Sequence, residues 1–113
     1  MIQITREAAQ GDVYVRRIDT IPTAAKRIEP VAGRLIVAHS ETGHHHSLLA
    51  TPGAEQWADP ARPGICYLRL EAPLALEHQR DWAQHAPLML GAGSWQIIRQ
   101  REMTPEGWRQ VQD

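Results

Sequence analysis

The chain has 113 residues, a mean hydropathy of -0.42 and a formal net charge of -1 from 12 basic and 13 acidic side chains. That length fits one domain over 1–113, since single domains cluster near about 100–150 residues. The balanced charge argues against a nucleic-acid or membrane-surface partner, and the single Cys66 excludes an intrachain disulfide.

Taken in chain order, Gly and Pro interrupt almost every stretch long enough for a helix, with turn signals at Gln10-Gly11-Asp12, Ala32-Gly33, Thr42-Gly43, Thr51-Pro52-Gly53, Arg62-Pro63-Gly64 and Gly91-Ala92-Gly93. Between the turns lie β-prone runs: Val13 to Ile18, Arg34 to His39, His44 to Ala50, Ile65 to Glu71, Leu74 to His78, Leu88 to Leu90 and Ser94 to Gln100. The pattern predicts an all-β fold of about seven short strands, a small antiparallel barrel or sandwich. At most one short helix is expected, around Thr23 to Ile28 or Asp81 to His85. The start, Met1-Ile2-Gln3-Ile4-Thr5-Arg6-Glu7, lacks a basic region followed by an apolar one, and no 18 apolar residues run together. A cytoplasmic, reducing location is the expectation.

Six histidines carry the chemistry. If Ser40-Glu41-Thr42-Gly43 is a hairpin loop, His39 and His44 face each other across the ladder. Alternation then places Leu35, Val37, His39, His44, His46 and Leu48 on the inner face and turns His45 outward. A second segment repeats the theme: Leu74-Ala75-Leu76-Glu77-His78, six residues, then His85-Ala86-Pro87-Leu88. The two hairpins are expected to bring their histidine ends together. Imidazoles clustered on rigid strands suit a divalent transition metal, Zn, Fe, Mn, Ni or Cu, at about 2.0–2.2 Å. The metal set expected is His44 and His46 with two of His39, His78 and His85. Without a cation, the same cluster reads as a polar or pH-sensing core. Glu41 is a further candidate ligand or base, weighed against a solvated turn acid; Glu55 is a weaker one, and Glu77 on a strand points away from His78.

Other chemistries are excluded by spacing. His39-Ser40-Glu41 has the deaminase H-x-E form but lacks the downstream Pro-Cys-x-x-Cys, the H-E-x-x-H of metalloproteases is absent, and Gly91-Ala92-Gly93 precedes a strand, which rules out a phosphate loop. Cys66 in Ile65-Cys66-Tyr67-Leu68 reads as a small buried hydrophobe, not a nucleophile. Trp57, Trp82, Trp95 and Trp108 stand in for the absent Phe as bulky core or rim residues, with Trp82 a candidate cover for the histidine pocket. The Arg99-Gln100-Arg101-Glu102 run reads as an outward Arg face of a strand.

Thr42-Gly43-His44-His45-His46 resembles the first metal-binding motif of the cupins, and Leu88-Met89-Leu90-Gly91-Ala92-Gly93-Ser94-Trp95 is similar to their second strand-turn-strand motif. The resemblance implies a cupin-like barrel with a metal. It covers only about 25 residues, the cupin Glu is missing at positions 50 to 52, and Gln96 occupies the place of the second-motif His. The stretch from Gly33 to Val111 also resembles a group of small uncharacterised bacterial and phage proteins with T-G-H-x-H early and H-x-P followed by Gln-Arg-Glu late, which implies no activity. The expected function is therefore a cytoplasmic β-barrel protein that binds one metal. An open coordination position would permit activity on a small molecule, and four protein ligands would make a closed structural or sensing site. The alternative is a phage- or operon-encoded interaction module without catalysis, with a homo-oligomer as a partner option in either case.

Overall fold

The computed structural model describes residues 3–39, 45–78 and 86–99, together with the backbone of 101–104 and 107–110. Thirteen strands are present among them: β1 (Gln3–Ile4), β2 (Glu7–Gln10), β3 (Val13–Ile18), β4 (Lys26–Ile28), β5 (Arg34–Ala38), β6 (His46–Leu49), β7 (Ala54–Ala58), β8 (Ile65–Leu70), β9 (Leu74–His78), β10 (Leu88–Leu90), β11 (Gly93–Arg99), β12 (Arg101–Thr104) and β13 (Gly107–Gln110). No described residue is helical.

Two sheets form a sandwich, one ordered β1-β10-β9-β6-β5 and the other β2-β3-β11-β8-β7-β4, with β12 and β13 as a separate hairpin. Of the two architectures expected, the sandwich is the one found: each sheet keeps two distinct edge strands, so neither closes into a barrel. All pairings are antiparallel except β1 with β10. The core lies between the sheets, with Leu35, Leu48, Leu76 and Leu90 from one and Val13, Val15, Leu68, Trp95 and Ile97 from the other. Among the described residues no helix is long and apolar enough to cross a membrane.

The count of about seven strands is corrected upward. All seven expected runs are strands, but β1, β2, β4, β7, β12 and β13 add to them. Several of these have weak intrinsic preference, such as Glu7-Ala8-Ala9-Gln10 and Ala54-Glu55-Gln56-Trp57-Ala58. They become strands because a stronger neighbour supplies the ladder, β3 for β2 and β8 for β7. The same effect makes a strand at one of the two places open to the single short helix allowed for, 23–28, where Lys26, Arg27 and Ile28 pair with Ala58, Trp57 and Gln56. The alternative helix position at 81–85 lies outside the described residues.

Two local devices position the site. Ala32 and Gly33 both have positive φ, 51° and 76°, between the mutually bonded Val31 and Arg34. This is the mirror-image two-residue turn that matches strand twist, and it launches β5. Along β5 and β6 the register starts as Arg34↔Leu49, Leu35↔Leu48 and Ile36↔Ser47, then shifts so that Ala38 faces His46. The extra residue, Val37, is a β-bulge.

Candidate functional site

The bulge reassigns the inner face. Leu35, Ala38, His46 and Leu48 are buried, Val37 is only half-buried and His39 is exposed. The expected inward placement of Val37 and His39 is thus corrected: one inserted residue inverts the alternation beyond it. His39 instead meets His45 edge to face, with ring centroids 5.0 Å apart. His44 and His85, and with them the expected His39–His44 pairing, lie outside the described residues, as do Glu41, Trp82 and the side chain of Trp108.

Of the expected meeting of the two hairpins, the described residues contain one pair. His46 and His78 are direct partners across β6 and β9, both buried, with rings stacked at 4.0 Å and only 5° from parallel. Ring-nitrogen lone pairs lie in the ring plane, so two parallel imidazoles do not converge on one point in this arrangement. Among the described residues no group of three or more His, Cys, Asp or Glu side chains is placed to hold a metal ion.

Two residues from the β2–β3 hairpin complete the surroundings of His46. Gln10 is buried at the end of β2, and its amide Nε2 donates to the backbone carbonyls of Leu76 and Ala86, both at 2.9 Å. That double anchorage fixes which end of the amide is which. Gln10 Oε1 therefore faces His46 Nδ1, at 2.9 Å, and can only accept. The proton of this contact belongs to His46 Nδ1, which leaves Nε2 to face Asp12. Asp12 Oδ1 stands 3.3 Å from His46 Nε2, with both side chains essentially without solvent contact. The other carboxylate oxygen of Asp12 stands 3.5 Å from Arg99 Nε.

Gln10 and Asp12 are site residues that the sequence did not single out, and Arg99, expected on an outward Arg face, instead has a side chain only 17 % exposed. Gln10-Gly11-Asp12 reads as turn punctuation, and its only further signal is polarity flanking an apolar strand. The other carboxylates have structural partners: Glu55 bridges Arg27 at 2.8 Å and Arg69 at 3.3 Å, and Glu77 accepts from Arg34 at 2.7 Å on the face opposite His78. Arg27 and Arg69 both lie over the ring of Trp57. Gln96 accepts from Arg16 Nε at 2.6 Å. Trp95 is fully buried and donates to the carbonyl of Gly91 at 2.9 Å. Cys66 is buried, and burial pushes its thiol up to about 12, which suits an inert core residue.

Fold and site define a two-sheet β-sandwich domain with a buried His–His pair flanked by a carboxamide and a carboxylate. The chain belongs to the family described as Domain of unknown function (DUF8820), whose model matches residues 9–100. That span runs from within β2 to just past β11 and contains Gln10, Asp12, His46, His78 and Arg99. No curated protein and no solved structure matches the chain.

Proposed function

We propose that this domain binds one divalent transition metal ion at the buried β6–β9 histidine cluster. Asp12 and His46 are the first donors, and His78, His44 and His85 are the imidazoles from which the rest are drawn, the exposed His39 being turned to His45 instead. The observation that carries this is the Asp12–His46 contact. With Nδ1 donating to Gln10, a neutral His46 turns a lone pair toward a carboxylate oxygen 3.3 Å away, so the two present a pair of donor atoms that one cation can join. A proton would draw such a pair to about 2.7–2.9 Å. Two donors on one tetrahedral metal, each bonded at about 2.0–2.1 Å, stand about 3.3–3.4 Å apart. The 3.3 Å separation fits the metal.

Gln10 has the role of a supporting residue: a ligating histidine typically gives its other N–H to an oxygen that fixes the ring. His78 reaches the same ion only after turning out of the stack. The resemblance to cupins is consistent with a metal on a β scaffold, and a small-molecule ligand at the ion and a cytoplasmic, non-nucleic-acid setting go with this reading. The second reading is the metal-free core, in which His46 is an imidazolium held between Gln10 and Asp12. Elemental analysis and equilibrium dialysis of protein purified without a nickel column decide between them. The expected result is close to one equivalent of Zn, Fe, Mn, Ni or Cu at neutral pH. Binding no tighter than about millimolar, a free energy near -4 kcal/mol, would overturn the metal reading.

A further inference from the structure

At the same end of the sandwich, the last residues of β5 and β11 and the first of β8 enclose a cleft of about 80 Å³ lined by Val37, Ala38, His39, Pro63, Gly64, Ile65 and Arg99. Its lining is mixed, with Val37, Pro63 and Ile65 supplying the apolar side chains, and its one permanent charge is Arg99. Arg99 is tied at the backbone, where its N–H donates to the carbonyl of Gly64 at 2.9 Å. Its side chain keeps only 17 % of its exposure, with Nε beside Asp12. The terminal guanidinium nitrogens make no hydrogen bond to any described residue. A guanidinium that is mostly buried, with donors left over, beside an apolar recess is a ready acceptor site for an anion.

We infer that this cleft takes a small carboxylate, its two oxygens on the terminal nitrogens of Arg99 and a short alkyl tail along Val37, Pro63 and Ile65. The chemistry favours a carboxylate over a phosphate. One guanidinium fork matches two planar oxygens, a phosphate dianion asks for more donors than a single Arg supplies, and the walls solvate a hydrocarbon. The volume is well below the about 300–1,000 Å³ of drug-sized pockets, which limits the guest to a few carbons. The site is built from Arg99 and the cleft walls and needs no metal to form. Asp12 touches both His46 and Arg99, which would set a bound carboxylate beside the proposed ion.

The test uses the full chain, stripped of metal with a chelator and dialysed, titrated with sodium acetate, butyrate and inorganic phosphate while backbone amide shifts are followed by NMR. Acetate is expected to saturate, with shifts centred on Gly64, Ile65 and Arg99. Butyrate should bind more tightly, each buried methylene adding up to about fourfold. Phosphate should bind more weakly than acetate. Arg99→Lys keeps the charge but loses the fork and should weaken acetate by about tenfold. Should that variant fail to fold, Gly64→Leu serves: a Cβ at Gly64 comes no closer than 3.7 Å to its neighbours, so the added side chain grows into the cleft and should abolish binding. Linear, non-saturating shifts, tighter binding of phosphate, or equal acetate affinity in a folded variant would each overturn the assignment. Because the titration is run without metal, its failure leaves the dialysis result untouched, and the reverse holds as well.

Discussion

Asp12 and His46 face each other at 3.3 Å with both side chains sealed from solvent, a separation set by the β2–β3 turn on one side and the β6–β9 pairing on the other. Asp12→Asn separates the two explanations for that contact. If the pair awaits a metal, the variant loses a charged donor, and metal affinity falls by about tenfold or more. The new amide donates to the lone pair of His46, so the metal-free fold loses no more than the Asp12–Arg99 attraction. If His46 is an imidazolium paired with Asp12, the variant strands a buried charge and the fold loses about 3–5 kcal/mol. Urea unfolding of the chelator-treated protein, read beside metal dialysis, shows which pattern holds.

Gln10 links three separate parts of the chain through one amide, and Gln10→Leu tests its part in the site. The variant leaves the carbonyls of Leu76 and Ala86 and the His46 Nδ1–H without their partner, which should cost about 2–4 kcal/mol. It also frees the imidazole to rotate, so metal affinity should drop by about 10–100-fold. Stability from urea midpoints and affinity from dialysis are measured separately. A variant that is destabilised but binds metal like the parent would make Gln10 a purely structural residue.

Cys66 supplies a pH-dependent test of core burial. Its thiol is raised from 9.0 to about 12 in the folded chain, chiefly by desolvation. Below pH 9 the thiol is neutral in both states. Between pH 9 and 12 the unfolded chain loses the proton while the folded chain keeps it, so stability falls across that window. Cys66→Ala should flatten the decline relative to the parent, as read from urea midpoints at pH 8, 9.5 and 10.5. Tyr67, also raised by burial and by its hydrogen bond to Asp59, leaves a residual slope in both proteins. In the native protein at pH 8, alkylation of Cys66 should be slow and should accelerate on adding denaturant.

The Ala32-Gly33 turn offers a stabilising change. Ala32 sits at φ 51°, where a Cβ is unfavourable and Asn is far better tolerated. Ala32→Asn is expected to raise stability by about 0.5–1 kcal/mol. A thermal midpoint that falls would show that this turn does not limit the stability of β5.

The runs most legible in the sequence are those whose strands pack the centre of the sheets. Val13–Ile18, Leu74–His78 and Leu88–Leu90 carry the β-branched, Leu-rich or alternating patterns of half-buried strands, and their bounds follow from them. The pairing of the histidine hairpin is legible as far as Ile36↔Ser47, because a four-residue loop and apolar alternation fix it. Beyond that point the Val37 bulge exchanges His39 for Ala38 on the inner face, and no residue in Arg34-Leu35-Ile36-Val37-Ala38-His39 announces it. Gln10 and Asp12 were hidden for a different reason. Their role depends on contacts far along the chain, with His46 for both and with Leu76 and Ala86 for Gln10, which no local pattern encodes.

The stacking of His46 on His78 gives the most demanding test of the metal reading. Parallel rings 4.0 Å apart cannot direct both lone pairs to one ion, so for His78 to act as a ligand its ring must turn when metal enters. Three variants separate the contributions. His46→Ala removes the donor already facing Asp12 and should weaken metal binding by at least about tenfold. His45→Ala, whose ring lies against the exposed His39, should change it little. His78→Ala decides whether the second hairpin takes part. As a ligand, it should weaken binding at neutral pH and make the pH dependence of affinity shallower by about one proton, because one imidazole no longer exchanges a proton for the metal. The parent should then show a large change in the His78 ring resonances on loading with Zn, as the stack opens. Parent-like affinity, an unchanged pH slope and unmoved His78 resonances would leave the stack intact in the loaded protein. His78 would then be a wall that holds the His46 ring in place, and the remaining ligands would come from the first hairpin and Asp12.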